Sequence, residues 1–486
     1  MSVLDLIENK RNNKKINKMF LPITTLNANK SQLSVIKELE NNNIISVLGG
    51  AGVGKSTTIV NTACHFLAKN KTVLIVANSD EAVNVVSKKI NELCGMDICL
   101  RAGRPDSNVK LASKLLDLVE GKINLQDENN MNLLKYLLFE KNQNGAKKLL
   151  KSKTIKRLNE LINNPENRKN LIIQAKMNLT KRQSKKEKIM KEIDFAPILK
   201  AYPCWAITTS QLSACLPLIK DMFTIGLIDE GSMGSIGEYI PVFYRCSKIA
   251  CFGDPKQISK LLFLENKKNT SFMVKHEIPE NLQLVWNYKN NSIWDFVNYY
   301  ADKTILLNEY YRGYASIFKF SNEHFYGNQI KIMTEDRADA VQKIKVDGEF
   351  ENGVNFVEAE KVISIVMNII KDCEKKKEVK TIGILSPIRK QCEIISKALN
   401  EILTYDLIEK YQIEIGTAHA YQGNQKSIMI NSWVYANNSP HQTLTFISNP
   451  NLLNVAITRA EEKVINVYSA DNMKNSLIGQ YLASIK

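Results

Sequence analysis

Two α/β halves in tandem, each on a parallel sheet and the first interrupted by a basic helical insertion, are what this 486-residue sequence predicts. Three observations carry that. Short apolar, β-branched runs alternate with segments of helical spacing in two separate stretches of the chain. A segment rich in Lys, Asn, Leu and Glu, from 108 to 198, divides the first stretch. A glycine-rich turn, "GGAGVGKSTT" (49–58), stands directly between a strand and a helix.

Taken in order, "IISVL" (44–48) reads as a buried strand and "STTIVNTACHFLAKN" as the helix after the glycine turn. "TVLIVAN" (72–78) is a second strand, followed by a helix through "EAVNVVSKKINELC". After Pro105 strand signals fade. "KKLLKSKTIKRLNELI" and "KRQSKKEKIMKEI" are long amphipathic stretches, read as a protruding antiparallel pair with Pro165 near its turn. Strands return at "CWAITT" (204–209), "TIGLID" (224–229) and "KIACFGD" (248–254). A polar, weakly patterned stretch, 263–290, reads as an interdomain connection. Beyond it "TILLNEY", "KTIGILSP", "IEIGTAHA", "KSIMINSW" and "EKVINVYS" make a second set of strands. The expected organisation is an N-terminal extension (1–30), a first domain in two parts (31–107 and 199–285), the insertion (108–198) and a second domain (286–486).

Composition narrows the class. Hydrophobic residues are 44% and charged residues 24% of the chain, a globular balance rather than a disordered one. No apolar run reaches eighteen residues and the start lacks a secretory pattern, so a soluble cytoplasmic protein with no membrane span is expected. Nine scattered cysteines without a C-x-x-C pair fit reduced thiols and argue against a structural zinc. The net charge of +16 is concentrated: residues 141–193 hold sixteen Lys or Arg against four Glu, a net +12. Such a run points to a polyanion, most often nucleic acid, with a solvated helical face as the alternative.

The glycine turn matches the P-loop spacing, and it sits after a strand and before a helix as the chemistry requires. Gly49, Gly50, Ala51, Gly52, Val53 and Gly54 let backbone N–H groups wrap phosphates at a helix N-terminus, where Thr57 also lies. Lys55 reaches the terminal phosphates and Ser56 is the metal ligand. Asp229 and Glu230 close the strand "IGLID". A carboxylate pair there serves a phosphate-bound Mg²⁺ shell (Asp229) and an attacking water (Glu230). Gln257, in "FGDPKQ", ends another strand with an amide in position to sense a terminal phosphate. His419 reads equally as functional or as a packed strand residue, and the aromatics of "YYADKT" and "WNYKNN" read as packing before base stacking.

In this order, the P-loop, "LIDEGS", "GDPKQ", "EYYRG" (309–313), "AYQGNQ" (420–425) and "NVAITRA" (454–460) resemble superfamily 1 helicases, and more closely their Upf-like 5′-to-3′ (1B) branch. "ANSDEAVN" (77–84), "GILSPIRKQ" (383–391) and "SNEHFY" (321–326) support it, and the resemblance covers about residues 26–470 apart from the insertion. It implies two RecA-like domains with ATP and Mg²⁺ bound between them. Gln32 in "NANKSQ" would contact the adenine. Gly54, Lys55, Ser56, Asp229, Glu230 and Gln257 would come from the first domain, and Arg312 and Arg459 from the second, as arginine fingers on the γ-phosphate. Gln422 and Gly423 would couple nucleotide to strand, and Ser79, Thr208, Thr209 and Thr417 would contact the strand backbone.

The activity so implied is an ATP-dependent helicase or translocase on single-stranded nucleic acid, DNA favoured and RNA admitted. The alternative is an ATP-driven switch in a larger defence or genome-maintenance complex, without unwinding. The short tail after the last motif leads us to expect no nuclease domain in the chain and a partner protein such as a nuclease instead. Three departures stand out: Ser259-Lys260 where the branch has Pro-Pro, Gln425 where it has an acid, and Gly231 where its D-E-A-S has alanine.

Overall fold

The computed structural model describes Val3, Ile7 and residues 20–259, 264–421 and 423–485. Its contacts divide the chain into two compact units: Met1–Gly49 with Gly54–Asp254 and Ser259–Leu307, and Gly50–Val53 with Pro255–Ile258 and Asn308–Lys486.

The first unit is built on seven strands: β1 (Ile44–Leu48), β2 (Val73–Ala77), β3 (Cys99–Arg101), β4 (Cys204–Thr208), β5 (Phe223–Ile228), β6 (Cys246–Gly253) and β7 (Lys303–Leu306). They lie in the order β3-β4-β2-β5-β6-β1-β7, all parallel. Every residue of β2 and β4 is buried, which is why these strands read as continuous apolar runs rather than alternating ones. The strand order makes β1 and β6 neighbours, in register from Ile44 opposite Ile249 to Leu48 opposite Gly253. The loops after β1, β5 and β6 therefore leave the same edge of the sheet, as functional loops do in open α/β sheets.

β7 corrects the sequence reading, which places 286–307 in the second domain. It pairs with β1, Ile45 opposite Lys303, and these residues belong to the first unit. The Asp302 carboxylate accepts from the N–H groups of Asn43 (3.0 Å) and Ile44 (3.1 Å). Trp294, on the helix Ile293–Tyr300, donates its indole N–H to the Val47 carbonyl at 3.1 Å. Within 263–290, read as a polar connection, stand the helices Asn266–Lys275 and Glu280–Gln283. Trp286 and Tyr300 are joined by a 3.0 Å hydrogen bond, so these aromatics pack rather than stand free.

Between β3 and β4 stand six helices: Pro105–Val119, Leu133–Phe139, Gln143–Ile162, Pro165–Leu179, Gln183–Met190 and Phe195–Ala201. Pro165 starts its helix at N1 with Asn164 as cap, at the turn where the sequence reading puts it. The insertion does not protrude as a bare pair, however. Leu158, Leu161, Leu171, Ala175 and Met177 share one core with Leu74 of β2 and Trp205 of β4. Lys153 donates to the Ala68 carbonyl (2.6 Å) and Arg157 to that of Leu67 (3.3 Å), at the C-terminal end of the helix Lys55–Ala68. Cations there complement the helix dipole, about 0.3–1 kcal/mol each.

The second unit carries a two-stranded ribbon, β8 (Glu309–Tyr310) with β9 (Lys331–Ile332), and a five-stranded parallel sheet. The sheet comprises β10 (Val341–Lys345), β11 (Ile382–Leu385), β12 (Glu414–Gly416), β13 (Lys426–Ser432) and β14 (Ala460–Tyr468), in the order β10-β14-β13-β11-β12. β10 is missed by the sequence reading because "VQKIK" is half-exposed and polar. "IEIGTAHA" holds only three strand residues, and His419 is exposed on the turn after them. All nine cysteines are buried and free. No helix among the described residues is long and apolar enough to cross a membrane.

Glu358 is fully buried in this unit. It accepts from the Val434 N–H and the Ser432 hydroxyl (each 2.8 Å), the Ser469 hydroxyl (2.9 Å) and the Asn355 amide (3.4 Å). Burial raises its pKa from 4.5 to about 7 against the pull of these donors. The folded protein thus binds this proton more tightly than the unfolded chain. The stability it contributes is complete below pH 4.5 and lost as pH rises through about 7. Glu358→Gln should flatten that slope by on the order of 3 kcal/mol, read from urea unfolding followed between pH 4.5 and 7. A slope equal to the parent's would show that Glu358 does not set it.

Candidate functional site

In the first unit the sequence-selected residues gather at the carboxyl ends of the strands. β1 is followed by Gly49, whose N–H donates to the Gly253 carbonyl at the end of β6 (3.1 Å). The helix Lys55–Ala68 begins after Gly54, whose φ of +83° is a left-handed conformation that favours glycine. A side chain there is also crowded, because its Cβ would stand 2.6 Å from Nε2 of Gln32, which would have to move. Gln32 is buried at the start of the helix Lys30–Asn41, where its Oε1 accepts from the Asn29 N–H in a capping box (3.1 Å). Its amide therefore sits against the P-loop itself.

Lys55 donates to the Gly49 carbonyl at 2.7 Å. Asp229, past the end of β5, is buried. Burial raises its pKa, while the charge of Lys55 and the Glu230 N–H (2.9 Å) pull it back. Ser56 is exposed and Thr57 half-buried on the first turn of the helix. Glycines in left-handed conformation, a lysine, an exposed hydroxyl at a helix N-terminus and a buried carboxylate under that lysine are the donor set a Mg²⁺–nucleoside triphosphate needs. The residues present fit that group.

Glu230 is left-handed (φ +53°), rare for a non-glycine residue. Its Oε2 accepts from the Ser79 hydroxyl at 3.1 Å. Gly231 has a physical reason in this chain: a Cβ there would lie 2.4 Å from the Cys251 sulfur. Thr208 is buried at the end of β4 with its hydroxyl against that of Ser210 (3.4 Å). Thr209 is half-buried and donates to the side-chain amide oxygen of Asn78 (3.0 Å).

The second unit holds the other group. Arg459, buried at the end of the helix Pro450–Ile457, donates Nη2 to the Gln257 amide oxygen at 2.5 Å. Asn454 donates to the Lys256 carbonyl (2.8 Å) and the Tyr326 hydroxyl (3.1 Å), and accepts from Ser321 (2.6 Å). Its role was not assigned from sequence, although it opens the "NVAITRA" motif. Tyr311 donates its backbone N–H to the Gly52 carbonyl (3.0 Å). A Cβ on Gly52 (φ +75°) would stand 2.6 Å from Cβ of Arg312 and from the Tyr310 ring, and one on Gly50 2.9 Å from the Tyr326 ring. Arg312 is half-buried, with Nη1 fully enclosed and without a hydrogen-bond partner. Desolvation lowers its pKa. A guanidinium so placed lacks an acceptor, and an anion would supply one. Ala51 and Val53 are buried in this unit. Thr417 is half-buried after β12, and Gly423 is exposed with φ +89°. Gln422 and Lys260 lie outside the described residues.

Two family models, each described as an AAA domain, match residues 27–263 and 338–471. An "uncharacterized ATP-dependent helicase" of Mycoplasma pneumoniae is 23% identical over 330 residues, 61% of this chain and 29% of its own. The regulator of nonsense transcripts 1 homolog of Neurospora crassa is 24% identical over 460 residues, 89% of this chain and 36% of its own. A further "uncharacterized ATP-dependent helicase", from Methanocaldococcus jannaschii, is 24% identical over 60% of this chain and 42% of its own length. The chain thus spans less than half the length of these relatives. The two AAA-domain matches and these relatives support a superfamily 1 helicase of the Upf-like kind.

Gly54→Ala adds a methyl group at a left-handed residue and into the Gln32 amide. It should cost roughly 1–3 kcal/mol of stability, measured as a shift in the urea midpoint. An unchanged midpoint would mean that the glycine is not required for this turn.

Proposed function

We propose that the protein is an ATP-dependent helicase or translocase that moves 5′-to-3′ along single-stranded nucleic acid, DNA ahead of RNA. The observation that carries it is Asp229 buried beneath the charge of Lys55 at the P-loop, with Glu230 beside it. On this reading Gly49 to Gly54 and Thr57 cradle the phosphates, Lys55 contacts the terminal ones and Gln32 reads the base. Ser56 and Asp229 would hold Mg²⁺, which when bound offsets phosphate charge. Glu230 orients the attacking water and takes its proton. Gln257 senses the terminal phosphate. Arg312 and Arg459 are the arginine fingers, and the enclosed, unpartnered Nη1 of Arg312 supports that role. Gln422 and Gly423 relay the nucleotide state to the strand, whose backbone is held at Ser79, Thr209 and Thr417. Thr208, the remaining hydroxyl of that set, is buried against the Ser210 hydroxyl.

A switch reading, with ATP turnover serving a larger complex that includes a partner such as a nuclease, uses the same residues. Lys55→Ala serves as the blank and Glu230→Gln as the trap. With a single strand present, ATP turnover by the parent should rise several-fold, and strand displacement from a 5′ overhang should follow. Glu230→Gln should keep ATP binding and lose at least ~10²-fold in kcat. Hydrolysis indifferent to DNA and RNA alike would leave the switch, and parental turnover by Glu230→Gln would remove Glu230 as the base.

The basic insertion is proposed to grip the phosphate backbone. Lys186 is buried, and Lys153 and Arg157 serve the P-loop helix. Between 176 and 191 the exposed set is Lys176, Lys181, Arg182, Lys185, Lys188 and Lys191. Replacing these six with Gln should weaken strand affinity and flatten its salt dependence, each lost phosphate contact lowering the log–log slope by about 0.7. An unchanged slope would make this face solvated surface.

A further inference from the structure

We infer that Ser79 is a positioning residue that restrains Glu230 until a nucleic-acid strand takes over its hydroxyl proton. This rests on the motor reading above and deepens it by naming where the strand and the hydrolytic water are coupled.

The hydroxyl bookkeeping carries the inference. Ser79 is the N-cap of the helix Asp80–Cys94, and its Oγ accepts from the Ala82 N–H at 3.2 Å. The same oxygen donates to Oε2 of Glu230 at 3.1 Å. A serine has one proton to give. The accepting side of Ser79 is committed to its helix and the donating side to Glu230. A phosphate oxygen arriving at Ser79 can accept only that same proton, so strand binding and the hold on Glu230 are mutually exclusive.

The surroundings make the exchange consequential. Glu230 projects from a left-handed backbone whose N–H is tied to Asp229, so its main chain has little room to compensate. Asn78, the neighbour of Ser79, donates to the Met233 carbonyl (2.8 Å) and accepts from Thr209 (3.0 Å) and the Tyr239 hydroxyl (3.1 Å). One amide thus joins the segments that follow β2, β4 and β5. Ser79 is fixed relative to both the carboxylate it holds and Thr209, another half-buried hydroxyl proposed to meet the strand.

The experiment is steady-state ATP hydrolysis with and without single-stranded DNA, resolved into kcat and KM for ATP, for the parent and for Ser79→Ala, Ser79→Gly and Ser79→Thr. Glycine is nearly as good a helix N-cap as serine, so Ser79→Gly separates loss of the proton from loss of the cap. Ser79→Ala and Ser79→Gly should raise strand-free kcat roughly tenfold, the scale of one hydrogen bond to a charged group. Their KM should stay unchanged and their stimulation by the strand should shrink accordingly, while Ser79→Thr should restore the parental ratio. Parental stimulation ratios in both Ser79→Ala and Ser79→Gly overturn the inference. So does an equal fall of kcat with and without strand, which would be a structural effect. A parent that no strand stimulates is a different failure: it overturns the motor reading itself, before any variant is compared.

Discussion

A buried carboxylate without a counter-charge costs several kcal/mol; burial raises the pKa of Asp229, and the charge of the Lys55 ammonium offsets part of that cost. Much of the first unit follows from keeping this pair in place. Lys55 is held by the Gly49 carbonyl, and Gly49 in turn by the Gly253 carbonyl on the neighbouring strand. Gly253 has no room for a side chain, because a Cβ would meet the Trp294 ring at 2.5 Å, and Trp294 is itself fixed to the Val47 carbonyl. Strand order, a tryptophan packed on the sheet and the two glycines at the ends of neighbouring strands thus serve one electrostatic requirement.

The same crowding accounts for a departure from the family pattern. Glycine replaces alanine after the acidic pair because the sulfur of Cys251 occupies the space a methyl group would need. Both carboxylates keep their positions, and the volume lost at 231 is filled from the next strand. A residue chosen by its neighbour in the sheet has no signature in its own segment.

That distinction separates what could be read in the chain from what could not. The strands β1, β2, β4, β5 and β6 announce themselves because burial on both faces demands unbroken apolar runs, and the glycine spacing locates the P-loop without reference to anything distant. β7 was given to the wrong half, since its partner, β1, lies some 250 residues away and nothing in "TILLNEY" names it. β3 and β10 are a short and a polar edge strand, respectively. The hydroxyls of Ser79, Thr208 and Thr209 are singled out only by the family resemblance, as contacts to a nucleic-acid backbone. That they are spent on Glu230, Ser210 and Asn78 depends on three loops meeting in space.

The attachment of the basic helices has a mechanical side. The chain enters them from β3 through residues 102–104 and leaves to β4 through 202–203, so neither end has a slack tether. Lys153 and Arg157 then clamp the far end of the helix whose first turn carries Lys55 and Ser56. The insertion is thus braced twice, through the core it shares with β2 and β4 and through the end of that helix, as a splint and not as a hinged flap.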